Sequence, residues 1–202
     1  MRYAVIDFET TGMSPALGAR ITEVGLCIVD CGVIIDSFQS LVNPQQAIPY
    51  DIQRLTGISD AMVRAAPSAA TVMREVVARV AGLPLVAHNA SFDYKFWQAE
   101  LAELGLSWQV QLLCSLKLAR RLLPGLASYQ LSALAAQLQL PQAGQFHRAL
   151  ADARCTAHLT IALQQQLCAD YQLASAPTAL LAAVQSVSKN RVTQIVESYR
   201  PG

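Results

Sequence analysis

Tyr3-Ala4-Val5-Ile6-Asp7-Phe8 is a short apolar run that turns acidic at its end, with Glu9 two positions on and Thr10-Thr11-Gly12-Met13-Ser14-Pro15 behind it. An apolar, β-favouring run bounded by Gly and Pro reads as a buried strand followed by a turn. Residues two apart on a strand share a face, so Asp7 and Glu9 point the same way and Phe8 points into the opposite core. Two carboxylates side by side at the edge of an apolar core repel unless a cation neutralises them. Hard oxygen donors of this kind suit Mg²⁺ or Mn²⁺. Taken alone, an Asp-x-Glu at a strand end is a weak signal that reads first as a solvated edge, so the rest of the chain has to arbitrate.

Working outward, Ile21 to Val29 and Val33 to Val42 are two further strand candidates, joined by Asp30-Cys31-Gly32 as a tight hairpin. Pro49 to Ser59 reads as irregular. Pro67 to Val80 carries Val72, Val76, Val77 and Val80 at helical spacing, and Leu85-Val86-Ala87 is a short buried strand. Helices dominate from there: Phe92–Leu104 with Ser91 as its cap, Ser115–Leu123, Tyr129–Leu138 and Ala149–Leu167. Strands early and helices late, with one strand between, predict an α/β domain with a mixed sheet covered by helices. Ser175 to Gly202 fits two short amphipathic helices, around Leu180, Leu181, Val184 and Val187 and around Val192, Ile195, Val196 and Tyr199.

Composition bounds the function. The 202 residues are 53% hydrophobic and 14% charged, with a formal net charge of +1, which excludes a disordered chain. The same numbers argue against a broad basic platform for long duplex DNA. No apolar run reaches the roughly 20 residues that span a bilayer, and the N-terminus lacks the pattern of a signal peptide, so a cytoplasmic protein without membrane partners is expected. Cys27, Cys31, Cys114, Cys155 and Cys168 are odd in number and contain no Cys-x-x-Cys pair, so reduced thiols are expected.

Two segments favour the metal reading of Asp7 and Glu9. In Val86-Ala87-His88-Asn89-Ala90-Ser91-Phe92-Asp93 a strand runs into a helix, placing Asp93 in its first turn, where the helix dipole favours a carboxylate. In His147-Arg148-Ala149-Leu150-Ala151-Asp152-Ala153, five residues along a helix rotate the direction by roughly 140°. His147 and Asp152 therefore share a site only if His147 lies in the loop before the helix.

Asp7-Phe8-Glu9-Thr10-Thr11-Gly12, His88 to Asp93 and His147 to Ala153 together resemble the three motifs of the DEDD exonuclease superfamily, in its DEDDh branch because His147 is present. Ile21-Thr22-Glu23-Val24-Gly25, Ile48-Pro49 with Leu55-Thr56-Gly57-Ile58, and Leu116 to Arg120 resemble its secondary signatures. The likeness covers roughly residues 2–170. It implies a ribonuclease H-like three-layer fold, a mixed five-stranded sheet flanked by helices, as an exonuclease domain over 1–170 with a helical extension over 171–202. One departure stands out: Cys114-Ser115 replaces an Asp-Thr common among relatives.

The resemblance also implies a function. Two divalent ions, Mg²⁺ or Mn²⁺, would be held by Asp7, Glu9, Asp93 and Asp152, with Asp7 shared, and His147 would be the general base in 3′-terminal phosphodiester hydrolysis. Backbone groups around Thr10, Thr11, Gly12 and Met13, together with Asn89, would hold the last nucleotide; Phe92 would stack near the terminal bases and Leu55 would wedge between them. His88 and Glu23 read as structural. The expected partners are single-stranded nucleic acid 3′ ends, DNA before RNA. The extension is a candidate surface for a polymerase subunit or for self-association, and packing on its own core is its other reading. An exoribonuclease of short RNA and a non-catalytic interaction module of the same fold are the competing functions.

Overall fold

The computed structural model describes residues 1–141 and 147–199. At its centre lie β1 (Arg2–Thr10), β2 (Ile21–Asp30), β3 (Val33–Leu41), β4 (Leu85–Ala87) and β5 (Leu112–Cys114), in the spatial order β3-β2-β1-β4-β5. The first three pair antiparallel, and β4 and β5 join β1 in parallel. The sheet is mixed, as expected. Its fifth strand is three residues long, as β4 is, but lacks the preceding Gly and Pro that mark the start of β4 in the sequence.

The opening run is buried on both faces. Tyr3 and Val5 enter one core with Cys27, Val29, Val86 and Leu113, whereas Ala4, Ile6 and Phe8 enter the other with Val24, Leu26 and Leu85. The two-residue period therefore puts Asp7 and Glu9 on the Tyr3 and Val5 face. A register shift follows Glu9: Glu9 faces Glu23 but Thr10 faces Ile21, so β2 carries one extra residue, Thr22, beside the acids. Between β2 and β3 the two-residue connection Cys31-Gly32 has φ of 48° and 79°, the positive values a primed hairpin turn requires. A second bulge leaves Ile35 as an extra residue in β3, since Ile28 faces Asp36 and Val29 faces Ile34.

Residues 49–59, expected to be irregular, contain α1 (Tyr50–Thr56), and α2 (Asp60–Arg64) follows. The helix α1 has seven residues and one buried side chain, Thr56, so it offers no apolar stripe to read. Gly57 ends it at φ 71°, donating its N–H to Gln53 O. The helix α3 (Ala69–Val80) is capped by Ser68, whose side chain accepts from Thr71 N, and its buried Val72, Val76 and Val80 match the predicted face. The helix α4 (Ser91–Glu103) starts one residue earlier than expected; Ser91 lies inside it and Ala90 occupies the cap without a side-chain bond. Next come α5 (Ser115–Leu122), α6 (Leu131–Gln137) and α7 (Ala149–Tyr171). The helix α6 begins after Tyr129, whose hydroxyl donates to Leu123 O.

Two short helices complete the described chain, α8 (Thr178–Ser186) and α9 (Val192–Ser198), as the amphipathic pattern predicted. Helices α3 and α4 cover one face of the sheet, and α5 to α9 cover the other. Leu180, Leu181, Val184, Val192 and Val196 are buried in the same cluster as Tyr3 and Val5. From α8, the Gln185 amide reaches the β5 edge: its Oε1 accepts from Cys114 N at 2.7 Å and its Nε2 donates to Leu112 O at 2.8 Å. One side chain thus supplies the donor and acceptor that a sixth strand would offer. All five cysteines are free thiols, Cys31 being the exposed one. Among the described residues, no helix is long and apolar enough to cross a membrane.

Candidate active site

Four acids and one histidine come from three places in the chain. Asp7 and Glu9 end β1, Asp93 lies in the first turn of α4 and Asp152 in the first turn of α7. His147 sits two residues before α7, in the loop position the spacing argument demanded, with φ 65°. Its backbone N–H donates to Asp152 Oδ2 at 2.9 Å. Asp93 is tied to β1 by Phe8 N, which donates to its Oδ1 at 3.1 Å. Potential ligand atoms of Glu9, His147 and Asp152 all lie within 4.8 Å of one another. Residues 142–146, just before His147, lie outside the described residues.

The β2 strand assembles this group. Gly25 is the register partner of Asp7, and Glu23 that of Glu9. A side chain at position 25 would overlap the Ala149 carbonyl and Leu150 N, so the start of α7 rests directly on the sheet there. Glu23, fully buried, accepts from Ala149 N at 2.9 Å and from the Arg148 guanidinium, the shortest distance being 2.7 Å. Together they fix the first turn of α7 over Asp7 and Glu9. Glu23 is structural, as expected; the sequence held the signal for Gly25 too, a glycine inside a strand.

Electrostatically the site is under strain. Burial, and then the neighbouring carboxylates Asp93, Glu9 and Asp152, raise the Asp7 carboxyl well above its ordinary range. Burial raises Glu9 to about 8, with Asp152 the largest of its charged causes. Burial raises Asp93 to about 7 against the bonds it accepts from backbone, and it also raises Asp152. Asp152 Oδ1 is buried with no hydrogen-bond partner among the described residues. Buried acids crowded this way, one with an unused oxygen, suit a cation.

A cavity of about 600 Å³ opens over the group, lined by Asp7, Asn89, His147 and Asp152 and walled by Arg120, Tyr129 and Ser132, among others. That size lies within the range of small-ligand sites. Asn89, exposed with φ 63°, is among its lining residues. Thr11, Gly12 and Met13 line a second cavity of about 340 Å³ with Gln46. The Thr hydroxyls are committed inside the loop: Thr10 donates to Gly12 O, and Thr11 accepts from Arg20 N and Gln46 Nε2. Leu55 is 53% exposed on α1, and Phe92 packs at 5.2 Å from Phe96; neither lines either cavity.

His88 is structural. Its Nε2 bonds Tyr129 O at 3.0 Å, so that nitrogen carries a proton, and its Nδ1 meets Ser115 Oγ at 2.9 Å. Burial lowers its pKa and keeps the ring neutral near pH 7, so Nδ1 accepts the Ser115 hydroxyl. The ring thereby links the end of β4 to the start of α5 and to the approach to α6. At the Cys114-Ser115 departure, the Ser115 hydroxyl meets His88, and buried Cys114 donates its backbone N–H to Gln185, a bond that does not depend on its side chain. Sequence reasoning did not find Arg120, Tyr129 and Ser132 as cavity walls, because nothing in their spacing links them to the acids.

Comparison with known proteins agrees with this geometry. The family model RNase_T, described as "Exonuclease", matches residues 4–160. The chain is 36% identical over 167 residues to the 3′-5′ exonuclease DinG of Bacillus subtilis, covering 82% of this chain and 18% of that protein. It is also 36% identical over 165 residues to a PolC-type DNA polymerase III of Caldanaerobacter subterraneus, covering 82% and 12% respectively. The chain thus spans less than a fifth of the length of either relative. Among solved structures, Exonuclease X in complex with 5′ overhanging duplex DNA superposes with a TM-score of 0.70 at 28% identity, covering 91% of this chain and 99% of that one. The mixed sheet with its flanking helices is the ribonuclease H-like exonuclease fold, and the chain belongs to the RNase_T exonuclease family.

Proposed function

We propose that this protein is a metal-dependent 3′-5′ exonuclease that removes nucleoside 5′-monophosphates from single-stranded or frayed DNA ends. The observation that carries the reading is the convergence of Asp7, Glu9, Asp93, Asp152 and His147 from β1, α4, α7 and the loop before it. A non-catalytic module has no need to keep four mutually repelling, half-buried or buried acids together.

Divalent ions fit the donor set: all oxygen, crowded, and with Asp152 Oδ1 lacking a partner. Asp7, Glu9, Asp93 and Asp152 would hold them, Asp7 being shared. When bound, two such ions activate water and stabilise the attacking and leaving oxygens of an in-line displacement. His147, exposed at the cavity, takes the proton of the attacking water on its imidazole nitrogen. Backbone groups of Thr10 to Met13 hold the terminal sugar, Gly12 allowing close approach, and Asn89 bonds the nucleotide across the cavity. Leu55 is the exposed side chain offered as a wedge between terminal bases, and Phe92 would support the stack from α4. DNA is favoured over RNA by the names DinG and PolC-type DNA polymerase III among the relatives. The same likeness supports delivery to DNA by a polymerase or a larger chain.

The test uses 5′-labelled DNA and RNA oligonucleotides, single-stranded and mismatched-duplex, with Mg²⁺, Mn²⁺ or EDTA. The expected result is a ladder shortening from the 3′ end of DNA, absent in EDTA and absent with Asp7→Asn. Faster shortening of RNA would transfer the reading to an exoribonuclease, and no product on any substrate would refute it.

A further inference from the structure

Net charge hides an uneven distribution. Residues 1–103 hold eleven Asp and Glu against seven Lys and Arg, whereas residues 104–202 hold three against eight. No acid occurs between Glu103 and Asp152. The fold gathers part of this excess beside the active cavity. Lys117, Arg120 and Arg121 stand at i, i+3 and i+4 on α5, one face of the helix, while Leu118, Ala119 and Leu122 fill the other. Arg121 donates to Val187 O, which holds the tight turn Lys189–Arg191 of the extension against α5. Lys117, Arg120, Lys189 and Arg191 are exposed, and Arg121 is half-buried. None of the five makes an ion pair among the described residues, unlike Arg20, Arg79 and Arg148. Arg120 lies above the Tyr129 ring at 5.8 Å and lines the cavity that Asp7, His147 and Asp152 share.

We infer that this basic face, running from Arg120 across Lys117 and Arg121 to Lys189 and Arg191, is the track for the single strand leading away from the scissile end. The inference rests on the exonuclease reading and extends it to the helical extension. Unpaired cations continuous with a catalytic cavity attract a polyanion to that face. A strand held at its 3′ end near Asp7 would pass Arg120 first and reach the extension only if it is several nucleotides long. Binding therefore has two parts: a length-independent grip at the cavity and an electrostatic grip that only longer strands feel.

The test is fluorescence anisotropy with the full chain in EDTA, using oligothymidylates of about 3 and about 20 nucleotides at several salt concentrations. Each phosphate contact on a single strand contributes about 0.7 to the slope of log K against log salt, so Lys189→Gln with Arg191→Gln should flatten it by about 1.4 for the long strand. Between about 50 and about 200 mM salt, the wild type should then lose about sevenfold more affinity than the variant, while the short oligonucleotide binds both alike. Lys117→Gln alone should flatten the slope by about half as much. Equal slopes for wild type and variants would overturn the track and leave the face to an acidic protein surface. Because binding is read without hydrolysis, that failure is separate from any failure of the exonuclease reading.

Discussion

Replacing Gly25 with alanine probes how the site is put together without touching any of its acids. A Cβ there overlaps three backbone atoms, Ala149 C, Ala149 O and Leu150 N, none of which can rotate away. Restoring ordinary contact of about 3.5 Å or more requires the first turn of α7 to lift by roughly 1 Å. That turn carries Asp152, and the residues just before it carry His147, so both withdraw from Asp7 and Glu9 on the sheet. A displacement of about 1 Å at reacting groups can cost about 100-fold in rate, or roughly 2.7 kcal/mol of barrier. Overpacking itself costs about 1–3 kcal/mol of stability, worth about 2–4 °C of Tm per kcal/mol in a chain this size. The assay is single-turnover cleavage of a 5′-labelled oligonucleotide at saturating metal, beside a thermal melt. The expected variant is folded at assay temperature yet slowed by about two orders of magnitude. A Gly25→Ala protein that is folded and cleaves within about threefold of wild type would refute the claim that this contact sets the position of α7.

Three further outcomes follow from the same structure. His147→Ala should slow cleavage by about 10²–10⁴-fold while Mn²⁺ still raises the Tm; loss of that metal-induced shift would make His147 a ligand and not the base. In EDTA the acids have folded pKa values raised above their unfolded ones, Glu9 to about 8 and Asp93 to about 7, so their contribution to stability is present in acid and is lost as pH rises through that range. The melting temperature without metal should accordingly fall from pH 5 to pH 8.5, and Mg²⁺ or Mn²⁺ should restore it most at the alkaline end; parallel curves with and without metal would contradict the cation site. Truncation after Asp170 removes buried Ala176 and five larger buried apolar side chains, each of the five worth about 1.5–3 kcal/mol as an upper bound, which together rival the whole stability of a domain. The truncated chain should be unfolded or insoluble, and a cooperative melt within a few degrees of wild type would show that the extension is not part of the core.

What the sequence disclosed and what it withheld divide along physical lines. Tyr3 to Glu9 was legible because strand period and chemistry coincide: the residues on one face are apolar until Asp7, and acids take over without changing phase. The helical angle required His147 to lie before the helix if it is to share a site with Asp152, and the structure finds it there. By contrast, α1 escaped because seven residues with a single buried side chain leave no periodic trace, and β5 because, unlike the equally short β4 behind Gly82 and Pro84, no Gly or Pro marks where it starts. The Ser91 cap failed because a favourable residue type does not fix where a helix starts. The roles of Gly25 and Gln185 depend on what lies across the fold: a helix start more than a hundred residues away in one case, a strand edge in the other. A glycine inside a strand marks Gly25 as a place of close approach, but no local property of either residue says which element it meets.

The Gln185 amide has a consequence for how this protein behaves in a crowded solution. Every open sheet ends in two rows of unpaired peptide groups, and each invites another chain to add itself. Here the two ends are guarded by different means. The β3 side is interrupted by the bulge at Ile35, and the β5 side is closed by a side chain that imitates a neighbouring strand. Losing the first guard would require re-registering a strand, whereas losing the second takes only a change of one residue. Substitution of Gln185 by leucine should therefore show itself first as time-dependent oligomers at high protein concentration, before any fall in catalytic rate, since the uncovered edge lies at the far end of the sheet order from β2 and its anchored acids.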